Sequence, residues 1–211
     1  MSDKTTISLD TAEQKVSYGF GLQFGQQLIN NNFDGLDINA VFTAMHHIIN
    51  GGGSSLSEAE LNTAYETVQE KMKAKVKADS EQALADGQAF LESFAQQPDT
   101  QKTNSGICYQ VLTAGSGPNP GPKTLIKTHY HGCFINGSVF DSSVDRGEPA
   151  EFAVNEVIPG WTEILQLMPL GAKWKVVIPQ HLAYGPKGAP PAIPPCSTLQ
   201  FEIELLDIIE E

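Results

Sequence analysis

Arginine is almost missing from this chain of 211 residues: Arg146 is the only one. Lys and Arg together number 13 against 25 Asp and Glu, a formal net charge of −12. A surface this acidic repels phosphate backbones and anionic headgroups, which argues against nucleic acid and membrane as partners. Cysteine is sparse. Cys108, Cys133 and Cys196 form no CxxC and leave at least one thiol unpaired, so neither a disulfide framework nor a zinc site is expected, and a reducing, cytoplasmic compartment is. No run approaches the ~20 apolar residues of a membrane-spanning helix. The opening MSDKTTISLD lacks the basic-then-apolar run of a secretory leader. There is no GxSxG, Walker loop or HExxH. The stretch Gly115-Ser116-Gly117-Pro118-Asn119-Pro120-Gly121 has two prolines where a phosphate loop needs amide donors, and reads as a turn. His46 and His47 are adjacent and cannot chelate from one helix face. His129 and His131 share a strand face but have no third ligand in sequence. No metal and no cofactor is expected.

Proline is missing from most of the first half. Of 13 prolines, only Pro98 precedes residue 101. Residues 1–100 hold six Lys against fourteen Asp and Glu and read as helical, while residues 101–211 read as strands and turns. A first helix is expected from Asp10, with Glu13 completing a capping box. Val16, Phe20, Phe24 and Leu28 make its apolar stripe. Gly19, Gly21 and Gly25 lie within it, and each costs roughly 1 kcal/mol against alanine, which suggests close approach of a second backbone. A second helix fits Asp37–Ile49, capped by Asp37 and stapled by Leu36 on Val41. Leu56-Ser57-x-x-Glu60-Leu61 opens a third, running to about Gln97 and roughly 60 Å long. It is apolar near Leu61, Tyr65 and Val68 and again at Phe90, Leu91 and Phe94, with Lys71, Lys73, Lys75 and Lys77 between. That pattern reads as a stalk. Two short helices bury little alone, so a homodimer through the N-terminal helices is expected. The divisions are 1–55, a dimerisation module; 56–100, the stalk; and 101–211, a second domain.

In that domain the period is two. Ile126, Thr128 and Tyr130 face one way, as do Trp174, Val176 and Ile178. Leu199, Phe201, Ile203 and Leu205 alternate with Gln200, Glu202 and Glu204. One short helix follows Pro159-Gly160. The fold class is α+β: a helical arm, then an antiparallel sheet wrapped around one short helix.

The ordered runs Tyr130, Val139-Phe140-Asp141-Ser142-Ser143, Arg146, Val157-Ile158-Pro159-Gly160-Trp161, Ala183-Tyr184-Gly185, Ile193-Pro194-Pro195 and Phe201 closely resemble the FKBP (tacrolimus-binding) family of peptidyl-prolyl cis–trans isomerases over about residues 105–209. The stretch YGFGLQFGQQL, with the helical arm, resembles the macrophage infectivity potentiator subgroup. The resemblance implies proline-containing peptides and unfolded proteins as substrates, macrolides of the tacrolimus and rapamycin type as inhibitors, and assistance to folding. It assigns Tyr130, Phe140, Asp141, Tyr184 and Phe201 to catalysis, and Arg146, Val157, Ile158, Trp161 and Ile193 to substrate binding. Trp161 would be the floor for the prolyl ring. The Tyr184 hydroxyl and Ile158 N–H would hold substrate carbonyls. Asp141 would be held ionised by Arg146, bidentate, and by the Tyr130 hydroxyl.

The chemistry needs no nucleophile. Rotation about an Xaa–Pro bond meets a barrier of roughly 18–20 kcal/mol because it breaks amide resonance. Water solvates the planar, more dipolar amide better than the twisted one. A dry aromatic pocket removes that preference and lowers the barrier. Three positions depart from the small single-domain members: Ala150 replaces an aromatic wall, Ala189 a flap histidine, and His131 a threonine. The smaller wall should weaken grip on macrolides more than turnover of peptides. The loop 185–197, with five prolines, should be stiff. The rival reading is a non-catalytic chaperone that holds proline-containing segments.

Overall fold

The structure, a computed structural model, describes residues 8–209. The chain divides into two compact units, residues 1–74 and 75–211.

In the first unit α1 spans Ala12–Asn30 and α2 spans Ile38–Ile49. The cap of α1 is Thr11, one residue later than expected. Its Oγ1 accepts the Gln14 N–H at 3.2 Å, and Gln14 Oε1 accepts the Thr11 N–H at 3.0 Å. With Thr11 as cap, Gln14 stands at the third helical position and closes the box, while Glu13 falls one short. Asp37 caps α2 as expected, accepting the Asn39 and Ala40 N–H groups at 2.8 and 3.2 Å. Val16, Phe20 and Phe24 on α1 are half or more exposed. A Cβ added at Gly19, Gly21 or Gly25 would meet nothing within 4 Å.

Helix α3, Glu58–Ala95, begins in the first unit and ends in the second. Ser57 Oγ accepts the Glu60 N–H at 3.3 Å and Glu60 Oε2 accepts the Ser57 N–H at 2.8 Å, the reciprocal box read from sequence. Near its C-terminal end Leu91 and Phe94 are buried against Cys108 and Val177. Gly87 makes room there: a Cβ would lie 2.3 Å from Thr198 Oγ1. The Lys175 ammonium lies 5.9 Å from the centre of the Phe94 ring.

The second unit is one antiparallel sheet. Its strands are β1 (Thr100–Lys102), β2 (Cys108–Ala114), β3 (Leu125–Phe134), β4 (Val139–Ser142), β5 (Ala150–Ala153), β6 (Ala172–Ile178) and β7 (Leu199–Ile209), in the order β1-β2-β6-β7-β3-β4. One edge of β3 pairs throughout with β7; the other pairs with β5 over 125–128 and with β4 over 131–133. Between those two partners, Ser143 Oγ accepts the Tyr130 N–H at 2.8 Å and donates to the Tyr130 carbonyl at 3.2 Å. One hydroxyl thus stands in for a missing strand neighbour. Ser143 opens the one-turn helix α4, Ser143–Arg146; α5 spans Pro159–Leu165. The inward residues of β7, Leu199, Phe201, Ile203 and Leu205, are buried in one core with Trp161, Ile164 and Leu165 of α5. Each such side chain contributes roughly 1.5–3 kcal/mol.

Candidate active site

The cavity is built around the first turn of α5. Pro159 supplies the fixed φ that suits the first helical position. Gly160 lets the turn sit down on β6, since a Cβ there would lie 2.5 Å from Ile178 Cγ2 and 3.1 Å from the Leu182 carbonyl. Trp161 follows, only 4% exposed. Three rings meet its indole nearly at right angles: Tyr130 at 5.3 Å and 86°, Phe201 at 5.4 Å and 82°, Phe152 at 6.0 Å and 86°. Edge-to-face contacts of this kind fix ring orientation and add about 0.5–1.5 kcal/mol each. Phe140 meets Phe201 at 5.6 Å and 88°. Both reach over Gly132 of β3, where a Cβ would lie 2.8 Å from Phe140 Cζ and 3.0 Å from Phe201 Cε1.

The concave space, open to solvent on one side, is about 450 Å³ and is lined by Tyr130, Phe140, Asp141, Phe152, Glu156, Val157, Ile158, Trp161, Tyr184 and Phe201. Eight of the ten residues expected at the site therefore line a single cavity. Ile193 and Arg146 do not. Ile193 is buried in the core and ties the base of the 185–197 loop, with Ala189 N–H donating to its carbonyl at 2.8 Å and its own N–H donating back at 3.0 Å. Arg146 stands behind the rim and acts through Asp141 and Tyr130. Phe152 and Glu156 are the lining residues that sequence reasoning missed. Phe152 lies on the inward face of β5, two residues beyond Ala150, so the wall absent at Ala150 is partly made up by the next inward side chain.

Polar groups at the rim form a closed set. The Tyr130 hydroxyl donates to Asp141 Oδ2 at 2.5 Å, Arg146 Nη1 donates to Asp141 Oδ1, and Arg146 Nη2 donates to the Tyr130 hydroxyl oxygen at 3.0 Å. The bidentate grip expected on Asp141 is thus divided, one arm of the fork going to Tyr130. Arg146 also stacks 5.7 Å over the Tyr130 ring. Partial burial pushes the Asp141 carboxyl up, but hydrogen bonds from Tyr130 and Arg146 and the guanidinium charge outweigh it. The group is held below the usual carboxylate range. Burial raises the Tyr130 hydroxyl, and donation to Asp141 raises it further. Burial also raises Tyr184, with the Asp141 charge adding to it. Tyr184 and Ile158 line this cavity, and neither the Tyr184 hydroxyl nor the Ile158 N–H has a hydrogen-bond partner among the described residues. They are two donors free to meet carbonyls. No group of three or more His, Cys, Asp or Glu suited to a metal occurs among the described residues. His129 and His131 instead bond Ser143 and Ser142, each at 3.0 Å.

An antiparallel sheet closed on one short helix, with a ring-lined cavity at that helix's first turn, defines a class that comparison with known proteins names. A family profile described as FKBP-type peptidyl-prolyl cis-trans isomerase matches residues 117–206, and one described as the domain amino terminal to such isomerases matches residues 13–111. The FKBP-type 22 kDa peptidyl-prolyl cis-trans isomerase of Escherichia coli K12 is 43% identical over 205 residues, covering 97% of this chain and 100% of that protein. The outer membrane protein MIP of Legionella longbeachae is 37% identical over 99% of this chain and 91% of its own. Among solved structures, FkpA from Escherichia coli matches with a TM-score of 0.69 and 34% identity, covering 95% of this chain and 98% of that one. The chain belongs to the FKBP-type peptidyl-prolyl cis-trans isomerases, and its similarity to these relatives runs along nearly its whole length.

Proposed function

We propose that the protein accelerates rotation about Xaa–Pro bonds in peptides and unfolded chains by holding the twisted amide in the cavity over Trp161. The observation that carries this reading is the indole itself: 4% exposed, framed by three rings, and forming the floor of an apolar space of about 450 Å³. That volume suits a prolyl ring and its neighbours. The prolyl ring packs on Trp161, with Phe140, Val157 and Phe201 as walls. Here the planar amide loses the water that favours it, whereas the twisted form, with its smaller carbonyl dipole, loses less. The Ile158 N–H and the Tyr184 hydroxyl take the carbonyls flanking the reacting bond and fix the chain while the bond turns. Asp141, kept ionised by Arg146 and Tyr130, offers a negative pole at the rim. No bond is made or broken.

On this reading residues 101–211 form the isomerase domain, 1–55 the dimerisation module and 56–100 the link. The exposed row Val16, Phe20 and Phe24 beside Gly21 and Gly25 supports a homodimer through the N-terminal helices. Two sites in one dimer hold a long unfolded client more strongly than one, by effective concentration, and supply a folding-assistant role. Macrolides of the tacrolimus type fit the same cavity. Three buried free thiols support a reducing, cytoplasmic setting.

The test is cis–trans exchange of a Leu-Pro tetrapeptide followed by NMR, with and without the full chain. Micromolar protein should raise the rate well above background, and Phe201→Ala or Asp141→Ala should lower it at least tenfold. Binding without acceleration would leave a holdase and sink the isomerase reading.

A further inference from the structure

The two carboxylates at the cavity differ in one respect. Asp141 is neutralised by Arg146, whereas Glu156 is exposed and its carboxylate has no hydrogen bond or ion pair among the described residues. The formal charge contributed by the lining residues is therefore left with one uncompensated negative group. Lys187, on the turn beyond Tyr184, is exposed and does not line the cavity. Glu156 also has a defined place along a bound chain. It precedes Ile158, whose N–H is free, by two residues, at most about 7 Å of backbone. Both residues line the one cavity, so a peptide whose carbonyl meets that N–H shares it with the Glu156 side chain. A cation there gains Coulomb attraction at a half-dry rim; an acidic side chain meets repulsion from Glu156 and from the −12 background.

We propose that Glu156 is a specificity-determining residue that favours prolyl segments carrying lysine or arginine next to the proline over segments carrying glutamate there. The inference rests on the isomerase reading and adds its substrate class. A partly exposed pair of this kind is worth about two- to fivefold in preference, and it is screened as the Debye length shrinks from ~10 Å at 0.1 M salt to ~3 Å at 1 M.

The experiment compares kcat/KM for tetrapeptides that differ only in the residue before proline: Lys, Leu or Glu. The full chain is assayed in 50 mM and in 1 M salt. The expected result is a Lys-to-Glu ratio above one at low salt that collapses at high salt. Glu156→Gln should cut the ratio about two- to fivefold. Glu148→Gln removes the same charge from an exposed position that does not line the cavity, and should leave the ratio within a factor of about 1.5. A ratio unchanged by Glu156→Gln, or lowered equally by Glu148→Gln, would overturn the inference while the isomerase reading stands. A chain that accelerated none of the three peptides would overturn both.

Discussion

Gly132 sets how closely two walls of the cavity approach. Replacing it with alanine puts a methyl 2.8 Å from the Phe140 ring and 3.0 Å from the Phe201 ring. One ring must move, and the over-packing costs about 1–3 kcal/mol. The expected outcome is a lower denaturation midpoint together with slower peptide exchange, since both displaced rings are walls. The ionisable groups point to a second residue-scale result. Asp141 is held below the usual carboxylate range, and Tyr184 and Tyr130 are pushed above the usual phenol range. None changes charge between about pH 5 and 9, so exchange rates measured by NMR should be flat there after correction for the background. The stability supplied by the depressed Asp141 is present above the ordinary carboxylate pKa and is lost as pH falls through the lowered one. The side chain is 44% exposed, so that contribution is small. Most of the cavity's residues were legible because the runs FDSS, VIPGW and AYG, in that order, resemble one family; the local reasons, the Ser143 hydroxyl filling a strand gap and Gly160 seating a helix turn, show only in the structure. Gly132 was not legible, because its role exists only once β4 and β7 bring two distant rings together. Phe152 and Glu156 were missed because they lie just before Val157, where the run that carries the resemblance begins.

At the scale of elements, the end of α3 is part of the second unit. Leu91 and Phe94 cover Cys108 and Val177, which lie on the opposite side of β2 and β6 from the main core. Strict alternation assigns that side to solvent, and on β6 the period-two pattern takes in only Trp174, Val176 and Ile178. Covering by a helix from outside the sheet leaves no period-two signature in the strand it covers, so this second small core was invisible from the strands alone. It was half visible from the helix, where Phe90, Leu91 and Phe94 return after the lysine-rich middle. Phe94→Ala should destabilise the second unit by about 3–5 kcal/mol. Val76→Ala, half-exposed on the same helix, should cost no more than about 0.5 kcal/mol. Urea unfolding of the full chain followed by tryptophan fluorescence reads both, because Trp161 and Trp174 are buried in that unit. The one-residue shift of the α1 cap is a smaller lesson: Asp10 and Thr11 are both good caps, and the pairing of Thr11 with Gln14 decided it.

At the scale of the whole molecule, the question is how many copies act together. A Cβ at the glycines of α1 would meet nothing within 4 Å among the described residues, and the row beside them is exposed. Gly21→Leu separates assembly from helix strength, since leucine improves helix propensity by roughly 0.8 kcal/mol while adding bulk to that face. The expected outcome is a shift to monomer in sedimentation velocity, with kcat/KM on a tetrapeptide held within about twofold and a larger loss toward an unfolded protein. A variant that stays dimeric would show that copies meet elsewhere.

The solitary guanidinium gives the molecule a built-in handle. A dicarbonyl reagent such as phenylglyoxal, which adds to guanidinium groups, meets a single guanidinium in the chain, that of Arg146. That target braces both Asp141 and Tyr130. The adduct on Arg146 can be located by peptide mass spectrometry, and the loss of exchange activity that accompanies it reports how far the cavity depends on that brace, without any engineered label.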